Sequence, residues 1–145
     1  MSDPIALHVF AAPAPVVESL RPRRDCTRRF AGAWLDEADA FDLVEFVEIM
    51  TRRKHGRTDL IRVIAEAKNG FTTIYACSDG FADALDTITE GNLASVARTW
   101  RTTTKSGDIA RSPDGEIEEF LRDLLSVSAQ NTGVGHPVWI ATYVY

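Results

Sequence analysis

A chain of 145 residues with 45% hydrophobic side chains can bury a real core and is most simply one domain, residues 1–145. Its formal net charge of −5 excludes bulk nucleic-acid affinity as a default and suits plain solubility. No stretch is apolar for long enough to span a bilayer, so no membrane association is expected. The apolar run 5–12 is short, follows Asp3, lacks a basic start and contains His8, so it does not read as a signal peptide. Cys26 and Cys77 are taken as reduced thiols of a cytoplasmic protein.

In chain order, Ile5 to Phe10 alternates with a period of two and reads as a first strand, ended by Pro13 and Pro15. Val16 to Leu20 can form one helical turn. Residues 21–29 hold five arginines in nine positions, and self-repulsion makes this an irregular turn. Phe30 to Leu35 brings the chain back to the core through Phe30 and Trp34.

Asp36 to Arg53 is a helix by the spacing of Phe41, Val44, Val47 and Met50, with acids at its start, bases at its end and Gly56 as its stop. Thr58 to Ala67 fits a second helix with Leu60, Ile61, Ile64 and Ala67 inward. Asn69-Gly70 turns the chain into a strand from Phe71 to Cys77, rich in β-branched and aromatic residues. Ser78-Asp79-Gly80 opens a short helix carrying Phe81, Leu85 and Ile88. A further helix carries Leu93, Val96, Ala97 and Trp100, and 105–108 reads as a loop. Ser112-Pro113 signals the start of a helix that aligns Ile117, Phe120, Leu121, Leu124 and Val127.

His136 to Tyr145 is the clearest strand. Val138, Ile140, Thr142 and Val144 form one face; Trp139, Ala141, Tyr143 and Tyr145 form the other. The order strand, helices, strand, helices, strand predicts an α+β fold. A small sheet of three to four strands carries packed helices and includes both the N- and C-terminal strands.

Candidate chemistry is sparse. His8, His55 and His136 have no ligand-spaced neighbours, so neither a metal site nor a cofactor is expected. Cys77, at a strand-to-helix turn beside Asp79, sits where hydrolases place nucleophiles, but lacks the flanking glycines of a nucleophile elbow. Asp42, Glu45 and Glu48 recur every third residue as an acidic stripe, which can be a solvated face or can steer a basic partner. The arginines at 21–29 suit phosphate recognition, yet only Phe30 accompanies them in sequence. Pairing with the acids of residues 36–48 is the expected use.

The run Ile74 to Leu85, then Asn92 to Trp100, then an amphipathic helix and a final apolar strand resembles a family of small uncharacterised bacterial single-domain proteins. The family has no assigned activity. Its resemblance to small domains that neutralise toxins implies a binding role.

The expectation is therefore a non-enzymatic protein-binding protein, with a bacterial toxin-immunity (antidote) protein as its most specific form. Candidate contacts are Asp42, Glu45, Glu48, Trp139, Tyr143 and Tyr145. The aromatic face of the last strand is a binding surface if exposed and core if buried. The alternative is a small enzyme or ligand-binding domain with a site near Cys77 and Asp79, with His8 and His136 as further suspects. A third reading, phosphate or nucleic-acid binding through Arg21 to Arg29, runs against the overall acidic charge.

Overall fold

The computed structural model describes residues 5–54 and 57–145. Five strands form one antiparallel sheet: β1 (Ile5–Ala11), β2 (Gly32–Asp36), β3 (Ile61–Glu66), β4 (Thr72–Cys77) and β5 (Val138–Val144). Their spatial order is β2-β1-β5-β4-β3. The strand count exceeds the expected three to four because two segments read otherwise in sequence join the edges. The expected union of the first and last strands is the centre of the sheet, with Leu7 opposite Thr142 and Val9 opposite Ile140.

Seven helices occur among the described residues. They are α1 (Ala14–Glu18), α2 (Ala40–Thr51), α3 (Arg57–Leu60), α4 (Asp79–Leu85), α5 (Leu93–Thr103), α6 (Gly107–Arg111) and α7 (Asp114–Val134). The sheet's first face takes Leu7, Val9, Leu35, Val138 and Ile140 into the main core with α2, α4, α5 and α7. Trp100 of α5 is fully buried at its heart, its ring 4.7 Å from Phe46 and 6.3 Å from Phe120. The second face carries Phe10, Ile74, Trp139, Ala141 and Tyr143. It is covered by residues 12–31, which include α1 and the arginine turn.

Three local readings change. The expected helix 58–67 exists only as α3. From Ile61 the chain pairs with β4, and a register shift between Val63 and Ala65 breaks the alternation that would have revealed a strand. The return segment 30–35 contains β2. Residues 107–111, which begin within the loop expected at 105–108 and run past it, form α6, capped by the Ser106 hydroxyl, which accepts from Ile109 N. Ser112 donates its hydroxyl to the Asp108 carbonyl of α6, and Pro113 is the cap residue of α7. The expected stop at Gly56, like His55, lies outside the described residues. The long helix is shorter than expected because Asp39, and not Asp36, caps it. The Asp39 carboxylate accepts from Phe41 N and Asp42 N, and Asp42 reciprocates to Asp39 N.

Gly32 is where β2 meets β1 most closely. A Cβ there would lie 2.2 Å from the Val9 carbonyl oxygen and 2.8 Å from His8 Nε2. Gly32→Ala should lower stability by about 1–3 kcal/mol in urea denaturation, because a backbone oxygen cannot rotate away as a side chain can. An unchanged midpoint would mean that β2 slides along β1 at no cost.

Candidate functional site

The second face of the sheet owes its form to the aromatic residues of β5. Their ring bodies pack on the sheet and their polar tips all grip the segment that crosses it. Trp139 Nε1 donates to the Ala12 carbonyl at 2.9 Å, fixing the start of the strap 12–31. The Tyr143 hydroxyl accepts from Thr27 N at 2.9 Å and makes a very short contact with Thr27 Oγ1. Thr27 Oγ1 lies 2.7 Å from His8 Nδ1. Tyr145 donates its hydroxyl to Asp25 Oδ1 at 2.6 Å, across a turn where Asp25 has φ +59°.

One donor order that satisfies this chain runs from Thr27 N–H to Tyr143, from the Tyr143 hydroxyl to Thr27 Oγ1, and from the Thr27 hydroxyl to His8 Nδ1. It places the His8 proton on Nε2, which is buried and turned toward the Phe30 backbone without reaching good hydrogen-bond geometry. The His8 ring stacks at 4.0 Å on Trp34 and at 4.9 Å on Phe10. Burial, with the nearby Arg28 charge, holds the His8 pKa down at about 4. Burial pushes the Tyr143 phenol well above its ordinary range, so it stays a neutral hydrogen-bonding group.

Pinned in this way, the strap turns its arginines outward. Cys26 N donates to the Arg23 carbonyl, Arg28 N to the Asp25 carbonyl and Phe30 N to the Thr27 carbonyl, so the turn is internally bonded. Arg24 lies over Tyr145 at 5.2 Å, Arg28 over Trp34 at 5.5 Å and Arg29 over Phe30 at 4.9 Å. Only Arg28 has a carboxylate among the described residues, Asp25 at 3.6 Å, and both groups are solvated. The expected pairing of this cluster with the acids of 36–48 is not made. The strap covers one face of the sheet, and α2 packs on the other.

Two clefts flank the strap. One, of about 150 Å³, is lined by Pro22, Arg23, Arg24, Phe71, Thr72 and Val144 among others. The other, of about 400 Å³, is lined by Ser19, Leu20, Arg21, Arg23, Cys26 and Arg29. Phe71 is 50% exposed and Tyr145 42% exposed. Arg23 and Arg24 line the same cleft as Phe71, and Arg24 lies over Tyr145.

The other expected site residues are placed as follows. Trp139 is 4% exposed and Tyr143 fully buried, so the question left open by the last strand resolves to core for both, and only Tyr145 offers surface. Asp42 serves the α2 cap. Its pKa is raised to about 6, chiefly by burial. Glu45 is also engaged internally: it accepts from Thr104 Oγ1 and from Lys105 N at 3.2 Å, tying α2 to the end of α5. Glu48 is half-buried on the same helix.

Cys77 packs against the main core and desolvation pushes its thiol up, opposite to the activation a nucleophile needs. Asp79 is exposed in the first turn of α4, behind the Ser78 cap. His8 lies on the strap side of the sheet, away from Cys77. His136 is half-buried before β5, where its carbonyl accepts from the Asn131 side chain. No hydrogen bond joins Cys77, Asp79, His8 and His136 among the described residues. No group of three or more His, Cys, Asp or Glu among them is arranged to hold a metal ion, and no helix among them is long and apolar enough to cross a membrane. Both cysteines are free.

Sequence reasoning missed Thr27 and Phe71. A small neutral residue amid five arginines is the one hint of an inward-facing position at Thr27. Phe71 follows the Asn69-Gly70 turn, where its N–H bonds to Asn69 Oδ1 and its ring stays outside. Comparison of the chain with protein-family models, curated proteins and solved structures finds no match.

Tyr143→Phe leaves the buried Thr27 N–H unpaired. It should cost about 1–3 kcal/mol in urea denaturation and speed tryptic cleavage within 21–29; an unchanged cleavage rate would show that the strap is held elsewhere. A second expectation concerns pH. Unfolded His8 takes a proton below its ordinary 6.5 and native His8 only near 4, so His8 removes stability as pH falls through that window. Asp42 acts in reverse: its native pKa of about 6 exceeds the ordinary 3.8, so it adds stability as pH falls through 6. The two offset each other between pH 6 and 4. Asp42→Asn keeps the oxygen that accepts from Asp39 N but removes the titration. The stability advantage of the wild type over this variant should therefore grow on acidification from pH 6 to 4, by about 1 kcal/mol once solvent screening of this half-buried carboxyl is allowed for.

Proposed function

We propose that the chain is a non-enzymatic protein-binding protein of the bacterial cytoplasm, with a toxin-immunity (antidote) protein as its most specific form. One observation carries this reading. Two large exposed aromatics meet the arginine turn from distant points in sequence: Phe71 lines one cleft with Arg23 and Arg24, and Arg24 lies over the Tyr145 ring. Tyr and Arg dominate the energetics of protein interfaces, because each joins a broad apolar body to directional donors. The stacking of Arg24 on Tyr145 holds both side chains in place before a partner arrives, which lowers the ordering cost of binding.

The contact set thus keeps Tyr145 from the sequence reading and adds Phe71, Arg23 and Arg24. Asp42 and Glu45 are engaged in holding α2, and Trp139 and Tyr143 hold the strap, which weakens their claim as contacts. Arginines without carboxylate partners favour an acidic partner surface, where charge speeds encounter. The raised Cys77 pKa and the separation of His8 from Cys77 give the enzymatic alternative no support.

The test is affinity capture from a lysate of the source organism at physiological salt, with wild type and a Phe71→Ala/Tyr145→Ala variant side by side. The reading expects one protein captured stoichiometrically by the wild type and weakened at least about tenfold by the double variant. Capture of no specific protein would sink it, and equal capture by the variant would move the interface off this face.

A further inference from the structure

The larger of the two clefts has a composition that internal packing does not explain. Arg21, Arg23 and Arg29 all line it, and none has a carboxylate partner among the described residues. The chain carries 21 acids against 16 Lys and Arg, so acidic partners are plentiful, yet none is placed here. Three cations gathered around one concavity repel each other. That arrangement persists most readily where an anion completes it.

The geometry is set before binding. The turn that carries the arginines is bonded internally and anchored through buried Thr27 to Tyr143. Arg29 is further steadied by its contact with Phe30, the guanidinium carbon 4.9 Å from the ring centre. A guanidinium stacked on a ring keeps its N–H donors in the plane of the fork, directed outward, where they can grip two oxygens of one group. Half-buried Leu20 and the Cys26 side chain supply an apolar wall beside the charges. The volume of about 400 Å³ exceeds what a bare phosphate fills and falls within the range of small-molecule sites.

We infer that this cleft binds a phosphorylated small molecule of about mononucleotide size, its phosphate held by Arg21, Arg23 and Arg29 and its remainder lying against Leu20 and Cys26. A long nucleic acid suits the surface less well, because the cations are confined to one short turn of a protein with net charge −5. The inference concerns a different cleft from the one Phe71 lines in the protein-binding reading, with Arg23 the one residue that lines both.

Isothermal titration calorimetry on the full chain at low salt tests it, with adenosine 5′-monophosphate, inorganic phosphate and a short single-stranded oligonucleotide as separate probes. The expected result is binding of the monophosphate ester more tightly than phosphate. Arg21→Ala and Arg29→Ala should each weaken it about tenfold, the loss of one charge-assisted contact. Arg29→Lys should weaken it measurably too, since charge survives but the fork does not. Phe71→Ala should leave it unchanged, which separates this site from the partner surface. Equal affinity for ester and free phosphate would overturn the assignment to an ester. No binding of either, or binding indifferent to Arg21→Ala and Arg29→Ala, would overturn the site itself. Salt-sensitive binding of the oligonucleotide alone would replace it with nucleic-acid recognition.

Discussion

A single phenol oxygen decides whether the second face of the sheet is closed. Tyr143 rises from the centre of β5 and meets both the backbone and the side chain of Thr27, and Thr27 in turn meets His8 on β1. Three residues distant in sequence thereby share one buried chain of hydrogen bonds. A buried polar chain is costly unless its members are paired, so it tolerates few alternative placements of the strap. Everything outside it follows: the turn that bears the arginines, the stacking of three guanidiniums on rings, and the two clefts on either side.

The two layers that cover the sheet differ in kind. On the first face, α2, α4, α5 and α7 present apolar side chains around Trp100, and burial of large surfaces does the work. On the second, a strap with one short helix covers the same strands, and its apolar contribution is small. Hydrogen bonds from Trp139, Tyr143 and Tyr145 make up what area does not supply. A covering layer held by a few directional bonds keeps its outer surface free for polar residues. That is why a cationic surface can sit on a protein that is acidic overall.

Much of the architecture is legible in the sequence where one period dominates. The alternation of β5 and β1, the Trp100 helix and the Ile117 to Val127 pattern all translate into the elements they suggest. β3 does not, because Leu60, Ile61, Ile64 and Ala67 satisfy a helical period while the bulge between Val63 and Ala65 interrupts the strand period. β2 is short, with a glycine whose reason is a close approach of neighbouring backbone and cannot be read locally. The site was less legible still. Aromatics at 34, 71 and 145 meet one arginine turn only through the sheet order, and long-range pairing leaves no local pattern. The acidic stripe had the opposite fate: its spacing was plain, and the cap at Asp39 and the Thr104 contact engage two of its three members, Asp42 and Glu45.

The position of β5 has a consequence for how the chain becomes a folded protein. β1 pairs with β2, and β3 with β4, through chain segments that precede β5, but the two ribbons touch only through the strand that comes after all of them. Until β5 inserts, the sheet is two separate ribbons with open edges at β1 and β4, each able to template a foreign strand. Insertion must close both edges and seat Trp139, Tyr143 and Tyr145 under or beside the strap in one cooperative event. Closure of the sheet thus depends on a non-local pairing, of the kind whose loop-closure entropy makes folding slow. A cell making this protein has to shield two half-sheets for as long as that step takes.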